Sequence, residues 1–280
     1  MPASSPQSSS PESPSPESSS PALHIVERGE SGSRVVFLHG LFGQGRNWST
    51  IGKELAADHR VTLVDLPDHG RSPWTDRIDY VDMAQRVAEV LPGPATVVGH
   101  SMGGKVAMVL ALTRPDLVER LVVADMSPVD YGDEADATGG VLGYARILLG
   151  LDLTDVRTRE DADRVLAEQV PERTIRSFLL QNLHRDGDGW RWAANLEHIV
   201  RDGATLAAWP EEALRETTPY DGPVLWLGGE RSGYVRDEFA PAMRRWFPRY
   251  RKVVINDAGH WLHSEQPEVF VSVLRRFLAG

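Results

Sequence analysis

The sequence predicts an α/β fold, a mostly parallel sheet with helices on both faces, and three observations carry that expectation. Short runs that are apolar at every position alternate with stretches whose apolar residues recur at helical spacing. Strands of that kind have no solvated face, so they belong in a sheet covered on both sides. A glycine-flanked serine, in Gly99-His100-Ser101-Met102-Gly103, stands where one such run ends and a helical stretch begins.

The first buried run is Arg34-Val35-Val36-Phe37-Leu38, and Trp48, Ile51, Leu55 and Ala56 follow at helical spacing. Val61-Thr62-Leu63-Val64 is the next strand. Tyr80 to Leu91 reads as a helix with Met83, Val87, Val90 and Leu91 on one face. Ala95-Thr96-Val97-Val98 and Leu121-Val122-Val123-Ala124 are further strands, separated by the helical run Lys105 to Leu110. Between about 131 and 216 no buried strand stands out, and helical patterns cover Ala162 to Val170, Glu172 to Leu183 and Trp190 to Val200. The sheet rhythm returns at Pro223-Val224-Leu225-Trp226-Leu227, then a helix to Phe247, the strand Lys252-Val253-Val254-Ile255 and a final helix from Glu265 to Leu278. The expected organisation is a first part of the core over 22–130, a helical cap over 131–216 and a second part of the core over 217–280. The cap is expected over the carboxyl ends of the strands, where open α/β sheets bind ligands.

With 280 residues the chain can bury a full core without staples. It has no cysteine, which excludes disulfides, a thiolate nucleophile and cysteine-ligated metals. A formal charge of -10 argues against nucleic-acid and anionic-membrane partners, which reward Lys/Arg patches. Residues 1–21 are largely Ser, Pro and Glu, without the apolar core or basic start of a secretory signal. Such a segment buries too little apolar surface to offset its chain entropy, so a disordered tail is expected. No run reaches membrane-spanning length. The expectation is a cytoplasmic enzyme without cofactor or metal.

A serine acts as a nucleophile when a sharp strand-to-helix turn lifts its hydroxyl clear of the sheet, and flanking glycines let neighbouring backbone approach. Ser101 meets that description, but it needs a base to take its proton. Of the nine histidines, His260 in Asp257-Ala258-Gly259-His260-Trp261 is best placed, directly after a strand and before the last helix. An imidazole with an ordinary pKa of about 6.5 accepts and returns a proton near neutrality. Asp125 ends the strand Leu121 to Ala124 and lies between Ser101 and His260 in the chain, the order this chemistry uses. Its carboxylate would hold the imidazole tautomer. Glu230 and Asp237 are the rival acids.

An oxyanion hole takes two N–H donors aimed at the developing charge. The candidates are Met102, next after the nucleophile, and Leu41 in His39-Gly40-Leu41-Phe42-Gly43. In Asp65-Leu66-Pro67-Asp68-His69-Gly70-Arg71-Ser72, His69 either lines the pocket or supports a turn behind it. Gly43-Gln44-Gly45 lacks the third glycine of a dinucleotide fingerprint. Asp186-Gly187-Asp188-Gly189 fails as a calcium loop, since Arg191 stands where the turn glycine belongs. It reads as a polar turn between cap helices. Phe178, Trp190, Trp192 and Trp209 are candidates for an acyl pocket.

Together these blocks resemble the α/β-hydrolase superfamily over residues 22–280. The narrower resemblance is to YbfF-type bacterial esterases and related abhydrolase-domain proteins. It rests on Leu38-His39-Gly40-Leu41-Phe42-Gly43, Gly99-His100-Ser101-Met102-Gly103-Gly104-Lys105, Asp125-Met126-Ser127-Pro128-Val129-Asp130-Tyr131 and Gly259-His260-Trp261. The lysine after the two glycines and the Asp125 block are its narrow signals. The resemblance implies an α/β-hydrolase fold with the cap inserted after the sixth strand. Such folds usually carry the acid in the loop after the strand ending at Leu227, where this chain has Ser232 instead. The narrower group is similar in lacking that acid, which implies Asp125 and Ser232 around His260. The implied activity is hydrolysis of carboxylic esters, extending to acyl-CoA thioesters, through an acyl-serine. The alternatives are a cofactor-free haloperoxidase or perhydrolase, and a non-catalytic small-molecule receptor on the same fold.

Overall fold

The computed structural model describes residues 22–132 and 141–280. The tail over 1–21 and the stretch 133–140 of the expected cap lie outside the described residues. Nine strands are assigned among the described residues: β1 Ile25–Arg28, β2 Arg34–Leu38, β3 Arg60–Val64, β4 Ala95–His100, β5 Val118–Ala124, β6 Leu183–Asp186, β7 Gly189–Trp192, β8 Val224–Gly229 and β9 Tyr250–Ile255. Seven form one sheet in the order β1-β3-β2-β4-β5-β8-β9. Every neighbouring pair runs parallel except β1 with β3. β4 and β8 are buried at every residue, as apolar strands between two helical layers must be.

The two faces read off directly from alternation along β2. Val36 and Leu38 join one core with Met83 and Val87 of α2 (Tyr80–Val90) and Val106 and Leu110 of α3 (Met102–Thr113). Val35 and Phe37 join the other, with Leu55 of α1 (Ser49–Leu55) and Phe270 and Leu274 of the last helix, Pro267–Leu278. The helix α2 starts where Asp79 accepts hydrogen bonds from the Val81 and Asp82 amides. In contrast, α3 is buried from Met102 to Leu112, because it packs on the sheet and on α2 and is also met by the segment after β5.

Among the described residues five strands precede the insertion. Ahead of β2 the sheet gains only β1, a half-buried antiparallel edge whose short run Ile25-Val26-Glu27-Arg28 carries little apolar signal. Between β5 and β8 the described residues are mostly helical: α4 (Val141–Leu149), α5 (Arg159–Leu166), α6 (Arg173–Leu179), α7 (Leu196–Arg201), α8 (Gly203–Ala207) and α9 (Glu211–Leu214). The helix expected from Trp190 to Val200 divides. Its first residues are strand β7, paired antiparallel with β6, and only α7 is helical. Trp190-Arg191-Trp192 alternates with period two, and Gly187 adopts φ +57° in the tight connection. The acidic stretch 186–189 is therefore a hairpin connection, not a turn between helices. Among the described residues no helix is long and apolar enough to cross a membrane.

Candidate active site

Ser101 stands between β4 and α3 with φ +53° and ψ −121°, a conformation that L-residues rarely adopt. The surroundings hold it there. Its N–H donates to Ala124 O at 3.0 Å, prolonging the β4–β5 ladder, and its carbonyl accepts from Gly104 N at 2.8 Å. The helix can cross so close to β2 only because position 103 lacks a side chain. A Cβ at Gly103 would lie 2.5 Å from His39 O and 2.6 Å from Leu38 O, both main-chain atoms. Gly103→Ala is expected to cost about 3 kcal/mol of stability, the scale of overpacking. An unchanged urea midpoint would contradict that crowding.

His260 lies in the loop after β9. Its Nε2 is 3.0 Å from Ser101 Oγ, and its Nδ1 is 2.7 Å from Asp125 Oδ2. Asp125 is fully buried at the carboxyl end of β5 and, like Ser101, has a positive φ of 53°. Its Oδ1 accepts from Gly229 N at 3.1 Å. The Ser232 hydroxyl donates to Oδ2, so Ser232 meets the carboxylate and not the ring of His260. A carboxylate acceptor places the proton on Nδ1, which leaves the Nε2 lone pair facing the serine hydroxyl. The rival acids are elsewhere: Glu230 is exposed and accepts from Asp257 N, and Asp237 is exposed and paired with Lys252.

The backbone and rings around His260 are also fixed. His100 Nε2–H donates to His260 O at 2.8 Å, and the Tyr234 ring lies 4.3 Å from the imidazole. His100 and His263 sit with ring centroids 4.5 Å apart. Burial holds His100 well below the usual range and pushes His263 down to about 3, with charge on neighbouring imidazoles adding to both. His39 is pushed down to about 3, by burial first and His69 second. These rings are therefore neutral at pH 7, and a proton arriving on His260 meets no adjacent cation.

That burial has a consequence for stability. In the unfolded chain each of these histidines titrates near 6.5, and in the folded chain lower. Between about pH 6.5 and 3 the unfolded state binds more protons, so their contribution is fully present above 6.5 and is lost as pH falls. The expected result is a melting temperature that drops from pH 7 to pH 5, less steeply in His263→Gln. Equal slopes in the two proteins would contradict it.

Leu41 and Met102 both border Ser101. Met102 is the first residue of α3, where an N–H has no intrahelical acceptor. The glycines around Leu41 form a turn closed by Gly43 N–H to Gly40 O at 2.9 Å. His39 braces that loop: its Nδ1–H donates to Gly40 O and its Nε2 accepts from Leu66 N. His69 is buried behind, donating to Pro67 O, and lines neither cavity beside the serine.

Two cavities meet at Ser101. The first is lined by His260, Trp261 and Trp48 from the core and by Tyr144, Ile175 and Phe178 from α4 and α6. The second is lined by Met102, Met126, Tyr131, Leu142 and Leu206. Of the four aromatics expected at an acyl pocket only Phe178 lines either. Trp190 and Trp192 belong to the β6–β7 hairpin, and Trp209 packs on Trp246. Helical spacing was a poor guide because β7 is not helical. Tyr131, Tyr144 and Tyr234 are contributors the sequence did not single out. Among the described residues no cluster of three or more His, Asp or Glu could hold a metal.

A strand-elbow-helix serine beneath an imidazole, on a sheet of this order, defines a class of protein. The chain belongs to the α/β-hydrolase family, whose model, described as "Alpha/beta hydrolase family", matches residues 35–273. Within it the chain is 38% identical over 251 residues to the mouse sn-1-specific diacylglycerol lipase ABHD11, covering 88% of this chain and 80% of that protein. It is 31% identical over 254 residues to esterase YbfF of Escherichia coli, covering 88% and 93%. A solved "Marine microorganism esterase" superposes with a TM-score of 0.85 at 33% identity, over 92% of this chain and all of that one.

Proposed function

We propose that the chain is a serine hydrolase that cleaves carboxylic esters through an acyl-Ser101 intermediate. The observation that carries this reading is the line from Ser101 Oγ to His260 Nε2 at 3.0 Å and from Nδ1 to Asp125 at 2.7 Å. His260 takes the Ser101 proton as the hydroxyl oxygen attacks the ester carbonyl. The resulting oxyanion is held by the Leu41 and Met102 amides. The imidazolium, steadied by Asp125, then gives its proton to the leaving alkoxide, and the C–O bond breaks. A water molecule, deprotonated by His260, attacks the acyl-serine, and the acid leaves as Ser101 regains its proton. Ser232 and the Gly229 amide keep the carboxylate turned toward Nδ1.

Residues 131–216 act as the cap in this proposal, since α4 and α6 line the cavity that His260 also lines. The same acyl-serine chemistry extends to acyl-CoA thioesters, and we place the enzyme in the cytoplasm, in keeping with its acidic balance. Two relatives named as a lipase and an esterase support the ester reading. The test is hydrolysis of p-nitrophenyl esters and acyl-CoA thioesters over a series of chain lengths. Turnover of esters supports the proposal. Peroxide-dependent halogenation without ester turnover, or small-molecule binding without either, would replace it.

A further inference from the structure

Lys105 is the narrowest signal of the elbow motif and has no part in the chemistry above. It sits one helical turn beyond Ser101, its N–H reaching Ser101 O at 3.2 Å, and its side chain is fully buried. A buried lysine needs partners. Its Nζ donates to Ala207 O and Ala208 O, both at 2.6 Å, and to Leu206 O at 3.3 Å. Those carbonyls end α8, where no further helical N–H is available to them. The amine is 5.5 Å from the Tyr80 ring and 5.2 Å from that of Tyr131, positions that favour a cation. Burial lowers Lys105 to about 7, and against that stand three acceptors asking for three N–H groups, a number only the ammonium supplies. Tyr80 OH to Leu206 O at 2.9 Å and Tyr131 N–H to Ala207 O at 3.2 Å complete the hold.

What is held is a cavity wall. Leu206 and Ala207 line the second of the two cavities at Ser101, together with Met102. The proposed chemistry divides the two cavities between the parts of an ester. The leaving oxygen must receive a proton from His260, so the alcohol lies in the cavity that His260 lines. The acyl group then points the other way, past Leu41 and Met102.

We infer that Lys105 is a positioning residue that sets acyl-chain length, by fixing the main chain of Leu206–Ala208 as the end wall of the acyl cavity. This rests on the hydrolase reading. Because Ser101 and Lys105 share one turn of α3, the distance from nucleophile to wall is set by the helix itself. The enzyme so built prefers short acyl chains, and removing the clamp lets longer ones enter.

The test measures kcat and KM for p-nitrophenyl acetate and octanoate with wild type, Lys105→Met and Leu206→Ala. The methionine keeps the stem and loses all three donors. Leu206→Ala keeps the carbonyl and removes the wall's side chain. Both are expected to raise the octanoate-to-acetate ratio of kcat/KM by at least about tenfold, the scale of a methylene or two in an apolar pocket. The rise should come from a lower KM for octanoate. A lysine that merely stabilised the fold would leave this ratio alone. An unmoved ratio in folded Lys105→Met overturns the clamp, and an unmoved ratio in both variants overturns the acyl cavity. Should Lys105→Met not fold, Lys105→Gln, with one amide group on a shorter stem, is read in its place. Fluorophosphonate labelling runs alongside. Wild type that neither labels nor turns over any ester refutes the hydrolase reading, whereas labelled variants with unmoved ratios refute only the role of Lys105.

Discussion

Replacing Ser101 with alanine removes ester turnover, with a fall in kcat on the order of 10⁵- to 10⁶-fold. No other hydroxyl replaces it, since Oγ is the atom at 3.0 Å from the imidazole. The φ of +53° is imposed by the β4–β5 ladder and by the first turn of α3, and neither depends on the hydroxyl. The variant should therefore melt within about 1 kcal/mol of wild type, as substitutions that open no cavity usually do. Loss of turnover together with loss of fold would leave the nucleophile unproved, so the calorimetric trace belongs to the experiment. Retained turnover in a folded variant would contradict the acyl-serine.

The second large effect is at Asp125. Asparagine has nearly the same shape and tolerates the left-handed backbone at this position, where φ is 53°. What changes is the hydrogen bond to His260. An amide N–H facing Nδ1 drives the ring proton to Nε2, and the base then presents a hydrogen to Ser101 in place of a lone pair. Wrong-tautomer changes of this kind cost about 10⁴-fold in kcat. Glu230→Gln and Asp237→Asn should stay within about fivefold of wild type, as Asp237 is in an exposed ion pair and Glu230 caps an exposed loop. A near-normal Asp125→Asn, with either of the others inactive, would move the acid to the later loop.

Some of this was legible because it is local. The elbow is five consecutive residues between a strand and a helix, so Ser101 and the Met102 amide are readable from a short window. His260 and Asp125 were legible for another reason: Asp125 directly follows buried β5, His260 lies in the loop after β9, and parallel strands deliver their carboxyl ends to one edge. The partner of Ser232 was not legible. Loop 230–234 folds back across β8, and only that turn shows that its hydroxyl meets the carboxylate from β5. The hairpin β6–β7 was misread because Trp190 to Trp192 is too short for periodicity to outweigh the helical run after it.

Lys105 shows the same division. A lysine inside Met102 to Leu112, an otherwise apolar or small stretch, announces a buried cation. Its acceptors are about a hundred positions away in the chain, at residues 206–208, and no local pattern names them. Carbonyl groups carry no sequence signature. Side chains that recruit main chain across a fold are therefore recognisable as anomalies before their purpose is.

The most direct measurement is reaction with a fluorophosphonate, followed by mass spectrometry of the modified peptide. The hydroxyl should be phosphonylated stoichiometrically at Ser101, and the rate should collapse in His260→Ala, because the imidazole is what makes that oxygen reactive. Modification at another serine, or labelling of Ser101 that proceeds equally fast without His260, would contradict the account.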